Sequence, residues 1–193
     1  MMKVVLCGPP HSGKSCLREG LKQALLILHR VGQAPYPYVL TACPDGEGAW
    51  YAEAAQRDPD LAYQLKQAYK SKFTPEFAQE KAKQVQQLDL PLTIIDVGGR
   101  IDDKNRWIMA PATHAVILSN DVAGIPEWQQ VCDELHLNVI AILYSDYHAT
   151  ADHIAAETPI LRGAIHHLER GEPNHDRPMI KALAARLAQL SVA

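Results

Sequence analysis

Gly8-Pro9-Pro10-His11-Ser12-Gly13-Lys14-Ser15 decides how this chain is read, because of what stands on either side of it. Before it runs Lys3-Val4-Val5-Leu6-Cys7, a short apolar stretch that reads as a buried strand. After it, Leu17, Leu21, Ala24, Leu25 and Leu28 recur at steps of three and four, the spacing of a helix that opens at Lys14 and ends by Gly32. A glycine-rich turn between a buried strand and a helix N-terminus is suited to hold phosphate. Its glycines let successive backbone N–H groups face inward, and the helix end adds partial positive charge. On this reading Gly8, Pro9, Pro10, His11, Ser12 and Gly13 form the cradle, and Lys14 reaches the β- and γ-phosphates of a nucleoside triphosphate. The Ser15 hydroxyl ligates Mg²⁺, and the backbone N–H of Cys16 touches the α-phosphate.

Outward from this loop the chain alternates strand and helix. Residues 38–42, 92–96, 114–118 and 138–143 read as strands, the last three apolar on both faces as strands inside a parallel sheet must be. Residues 159–165 read as an edge strand, and 126–135 and 177–190 as helices. Residues 50–88 have helical character with breaks at Asp58-Pro59 and Thr74-Pro75, each a capping residue set before proline. That stretch is too long for one crossover helix. The expected fold is therefore a single α/β domain over residues 1–193, with a doubly wound, mostly parallel sheet and a helical insertion or lid at about 50–88 after the second strand.

A phosphate loop that binds Mg²⁺ needs a carboxylate on a neighbouring strand. Thr93-Ile94-Ile95-Asp96 supplies it, and the following Val97-Gly98-Gly99-Arg100 lets the backbone of Gly99 approach the γ-phosphate. Arg100 is a candidate to stabilise charge on the transferred phosphoryl group, with Lys104 and Arg106 further candidates of the same kind. Asp45 and Glu47, separated by Gly46 just past the second strand, are candidates for a general base or a second metal contact. His166, His167 and His175 have no Cys or acidic cluster at ligand spacing, so no separate metal site is expected there.

Composition narrows the field further. Nineteen basic against 22 acidic side chains give a net charge of −3, so no whole-molecule field attracts nucleic acid, and a local basic patch is left open. Apolar runs such as residues 24–28 are far short of the ~20 residues of a membrane span, and the N-terminal apolar run turns into Gly8-Pro9 too early for a signal peptide. Cys7, Cys16, Cys43 and Cys132 show no paired spacing, which argues against a disulfide framework and for a cytoplasmic protein without membrane partners.

The loop and the Asp96-Val97-Gly98-Gly99 turn together resemble the Walker A and Walker B elements of P-loop NTPases. The Asp-x-Gly-Gly form is similar to the switch turn of GTPases and to the corresponding region of ParA/dethiobiotin-synthetase-like ATPases. It departs from the first at Tyr144-Ser145-Asp146-Tyr147, where the Asn-Lys pair that reads guanine is missing. It departs from the second at Pro9 and Pro10, where that group carries a lysine. The resemblance implies Mg²⁺ and ATP rather than GTP as ligands, with Lys14, Ser15 and Asp96 at the centre of the chemistry. A narrower resemblance, carried by Ala42-Cys43-Pro44-Asp45-Gly46-Glu47-Gly48, is to the P-loop domain fused to a cyanobacterial CRISPR-associated ring nuclease. It implies a regulatory ATPase in cyclic-oligoadenylate signalling, with a fused or separate nuclease domain as partner and self-association open. Two alternatives stand beside it: a small-molecule or nucleotide kinase with the insertion as acceptor lid, and a nucleotide sensor without useful turnover.

Overall fold

The computed structural model describes residues 1–44 and 72–192. Its elements in chain order are β1 (Met2–Cys7), α1 (Lys14–Arg30), β2 (Pro37–Thr41), α2 (Pro75–Gln87), β3 (Leu92–Asp96), α3 (Asp103–Met109), β4 (His114–Ser119), a 3-10 turn (Val122–Gly124), α4 (Ile125–Glu134), β5 (Asn138–Asp146), β6 (His153–Ala156), β7 (Leu161–His166) and α5 (Pro178–Ser191). The strands form one sheet in the order β2-β3-β1-β4-β5-β7-β6, every described pairing parallel except β6 with β7.

Both faces of the sheet are covered, and the period of two along each strand decides which residue meets which layer. Val4, Leu6, Ile94, Val116 and Leu143 join Leu17, Leu21 and Leu25 of α1 and Leu183 and Leu187 of α5 in one core. Their neighbours Val5, Cys7, Ile95, Ile117 and Ile142 join Ala78 and Val85 of α2, Ile108 of α3 and Trp128 of α4 in the other. This is the doubly wound α/β architecture the apolar strands require. No helix among the described residues is long and apolar enough to cross a membrane.

One local expectation changes, and one at Thr74-Pro75 holds. The stretch expected at the edge, β7, lies inside the sheet, parallel to β5 on one side and antiparallel to β6 on the other. The true edge is β6, four residues that alternate between exposed and half-buried and so lack an apolar run. The break at Thr74-Pro75 is a helix start: Thr74 Oγ1 accepts from the backbone N–H of Phe77 at 3.2 Å, and Pro75 takes the first turn. Asp58-Pro59 and most of the expected insertion lie outside the described residues.

The topology positions the site. β1 sits between β3 and β4, and chain neighbours β1 and β2 are separated by β3, so the strand order reverses direction at β1. In open α/β sheets ligands bind beyond the carboxyl ends of strands at such a point. The register sets Leu6 opposite Asp96, so the loop after β1 and the turn after β3 emerge side by side.

Candidate nucleotide site

The loop 8–13 is held in one shape by contacts that only glycine permits. Gly8 has φ 138°, and a Cβ there would stand 1.8 Å from the Leu118 carbonyl oxygen of β4. Gly13 has φ 86°, and its Cβ would meet Leu168 Cδ1 at 2.8 Å. His11 is exposed and left-handed at φ 62°, while Ser12 is fully buried beneath the loop. Lys14 is 8% exposed, and its ammonium donates to Gly8 O at 2.8 Å and Pro9 O at 2.7 Å, with Ser12 Oγ at 3.5 Å. The charge that should meet a phosphate is therefore stored against the carbonyls of its own loop.

Asp96 closes β3 and is 1% exposed. Its Oδ2 accepts from Ser15 Oγ at 3.4 Å, which joins the two sequence-predicted metal residues in one place. A hydroxyl and a buried carboxylate, both hard oxygen donors, fit the chemistry of Mg²⁺. A third group arrives that the sequence reading missed. Arg18, one turn beyond Ser15 on α1, donates from Nη1 to Asp96 Oδ2 at 3.3 Å and to Thr41 Oγ1 at 3.2 Å.

The turn after Asp96 is pressed against the loop. A Cβ on Gly99 would stand 2.5 Å from Pro10 N and 2.7 Å from Pro10 Cα, so Gly99 can approach the cradle only because it has none. Asn105, 2% exposed on α3, holds this turn: its Oδ1 accepts from Gly98 N–H at 3.0 Å, and its Nδ2 donates to Arg100 O at 2.9 Å and Asp102 Oδ1 at 3.2 Å. Asp102 in turn caps α3 through Asn105 N–H at 2.9 Å. Nothing in a seven-residue helix with one buried amide marks Asn105 in the sequence.

A third wall comes from residues 167–177. Leu168 packs on Gly13, and Asn174 Nδ2 donates to Cys16 O at 3.1 Å. The base of that wall is fixed by Asp152, whose Oδ1 accepts from His166 N–H at 3.0 Å and lies 2.6 Å from His166 Nδ1, while Oδ2 accepts from Met179 N–H at 2.9 Å. Arg177 donates to the carbonyls of His166 and His167. Burial raises the Cys16 thiol above its ordinary range, so the residue enters the site uncharged. Cys7, just before the loop, is raised well above its range by the Cys132 sulfur 4.0 Å away and by burial.

The structure thus brings together Gly8, Pro9, Pro10, Ser12, Gly13, Lys14, Ser15, Cys16, Asp96 and Gly99. Arg100 is exposed directly after the glycine turn. Lys104 and Arg106 are turned to other partners: Lys104 donates to Phe73 O at 2.8 Å and lies over the Phe73 ring, and Arg106 pairs with Glu134 at 2.6 Å. Asp45 and Glu47 lie outside the described residues. The histidines do have acidic neighbours that sequence spacing hid, Asp152 beside His166 and Glu169 and Glu172 around His167.

No family model matches the chain, and no curated protein does. Solved structures do share its shape. The septum site-determining protein MinD from Pyrococcus horikoshii, complexed with Mg-ADP, superposes with a TM-score of 0.57 at 13% identity, over 98% of this chain and 96% of the other. The chain has the fold of a P-loop NTPase. A nucleotide-binding protein from Archaeoglobus fulgidus in complex with ADP aligns with a TM-score of 0.49 at 12% identity, over 98% of this chain and 88% of that one.

Proposed function

We propose that this domain binds a Mg²⁺-nucleoside triphosphate in the loop 8–15 and hydrolyses it, with ATP as the nucleotide, as a regulatory module. The observation that carries the reading is the meeting of Ser15 Oγ and buried Asp96 Oδ2 at 3.4 Å, one helical position from a lysine held inside a glycine-built cradle. A phosphate loop alone binds anions; a loop joined to a strand-end carboxylate can also hold the metal. The MinD likeness supports the fold of this reading, and that protein's structure is of a Mg-ADP complex.

In this proposal the backbone N–H groups of residues 8–16 take the phosphates, and Lys14 leaves its loop carbonyls for the β- and γ-oxygens. Ser15 and Asp96 hold Mg²⁺, which when bound neutralises charge on those oxygens. The Gly99 N–H faces the γ-phosphate, and Arg100 supports the charge on the group being transferred. Asp45 and Glu47 keep their sequence-based role as candidates to orient water. Adenine rather than guanine is favoured because Tyr144 and Ser145 stand where the Asn-Lys pair that reads guanine would be, and Asp146 Oδ1 accepts from His148 N–H at 3.0 Å and Ala149 N–H at 3.1 Å within its own turn. The cyclic-oligoadenylate role and the nuclease partner rest on residues 42–48 alone, of which 45–48 lie outside the described residues, and they form no part of the proposal.

The test is to quantify ADP and inorganic phosphate from ATP, with and without a panel of nucleosides, nucleotides and single-stranded RNA. Equal amounts of both products, independent of the panel, are expected. ADP without matching phosphate in the presence of one panel member would make the domain a kinase and name its substrate. Tight binding of Mg-ATP with neither product would make it a sensor.

A further inference from the structure

Arg18 sits where the site needs a decision between two cations. It lies three residues past Ser15, on the same face of α1, and its Nη1 reaches Asp96 Oδ2, the oxygen that Ser15 also approaches. The pair is largely removed from water, with side-chain exposures of 20% and 2%. Its contacts, 3.3 Å to Asp96 and 3.2 Å to Thr41, both run through one nitrogen and are longer than the ~2.8 Å of a tight charge-assisted bond. The guanidinium is thus near enough to balance the carboxylate and loose enough to be displaced from it. Thr41, at the end of β2, gives Arg18 a second acceptor to remain on.

We propose that Arg18 is a positioning residue that sets the Mg²⁺ requirement of this site, by acting as the resident counter-cation of Asp96 that the metal must displace. The inference rests on the Mg-nucleotide reading above and deepens it. Two cations competing for one carboxylate weaken each other by the same factor, as linkage demands. With Arg18 present, free Mg²⁺ at ordinary concentrations is a poor competitor. When a triphosphate brings its own oxygens to the metal, the balance turns, and Arg18 moves aside on Thr41. The site is then selective for the metal–nucleotide complex over either component alone.

The experiment compares wild type with Arg18→Gln, which keeps a donor for Thr41 but removes the charge, and with Arg18→Lys, which restores charge. Mg²⁺ is titrated alone and in the presence of fixed ATP, and the readouts are thermal midpoint and calorimetric binding rather than turnover. In Arg18→Gln the Mg²⁺ concentration giving half the effect should fall about tenfold, within the usual range for linked sites, and Arg18→Lys should stay near wild type. The same Arg18→Gln change in an Asp96→Asn background should have no effect on the Mg²⁺ dependence, because the competed group is gone. An unchanged or higher half-effect concentration in Arg18→Gln would overturn the inference. If Arg18→Gln fails to fold, Arg18→Met, which retains the aliphatic stem, takes its place under the same criterion. Failure of the parent reading looks different: wild type would then show no ATP-dependent response to Mg²⁺ at all.

Discussion

Lys14 donates to Gly8 O and Pro9 O, so in the proposed reading a triphosphate must draw its ammonium away from acceptors that the loop itself supplies. Phosphate oxygens win because they are charged, and hydrogen bonds to charged groups are the stronger kind. Lys14→Ala should therefore weaken ATP binding roughly 10- to 100-fold, the loss of one or two such bonds, while the thermal midpoint without nucleotide changes little. Calorimetric titration beside a melting curve checks both halves, and undiminished affinity would remove the central assignment. Gly99→Ala acts differently. Its Cβ would lie 2.5 Å from Pro10 N, backbone that cannot swing away like a side chain, so the turn and the loop must part. Nucleotide affinity should fall at least as far as in Lys14→Ala although no phosphate-binding group has been removed, and serine at the same position should be no better. At this scale, Lys14, Ser15 and Asp96 were legible because motif spacing ties them to known chemistry. Arg18 and Asn105 were not, because each acts through partners far away in sequence, Asp96 in one case and Gly98 in the other.

Among the elements, α3 matters most for its size. Seven residues give too few turns for a hydrophobic period to show, and the sequence reading passed over it. It carries Asn105 and follows its cap Asp102, which together fasten the turn 98–102 that walls the proposed phosphate site. Asn105→Ala leaves the Gly98 N–H and Arg100 carbonyl without this partner and should cost about 1–3 kcal/mol. Asp102→Ala removes the cap and one of the two acceptors of Asn105 Nδ2, leaving the Gly98 and Arg100 bonds in place, and should cost about 1 kcal/mol. Chemical denaturation measures both, and Asn105→Ala should also lower ATP affinity where Asp102→Ala leaves it less affected; the reverse order would show that the turn is held elsewhere. The strands were easier to read. β1, β3, β4 and β5 are buried on both faces over most of their length and so appear as near-continuous apolar runs. β7 mixes exposed Arg162 and half-buried Gly163 into its run, and β6 has no run at all, which is why the edge was placed one strand too early.

The whole molecule gathers three separate stretches of chain at the carboxyl end of the sheet: residues 8–16 after β1, 96–102 after β3, and 167–177 after β7. Each is attached to another by direct contacts: Gly99 on Pro10, Leu168 on Gly13, and Asn174 on the Cys16 carbonyl. Their anchors lie in different layers, Asn105 on the α2–α4 side and Asp152 with α5 on the other, so the site bridges both cores. Binding energy entering through the phosphates should accordingly spread to all three stretches rather than stay in the loop. Backbone amide hydrogen exchange with and without Mg-ATP should show slower exchange in 8–16, 96–102 and 167–177 together, with the β6 edge, whose strand partner is β7, unchanged. Mg²⁺ withheld by a chelator should leave protection at 8–16 and reduce it selectively at 96–102, because in the proposed reading Asp96 joins the bound complex through the metal, while Gly99 still meets the loop directly. Equal protection of both stretches without metal would mean that Asp96 takes no part in holding it.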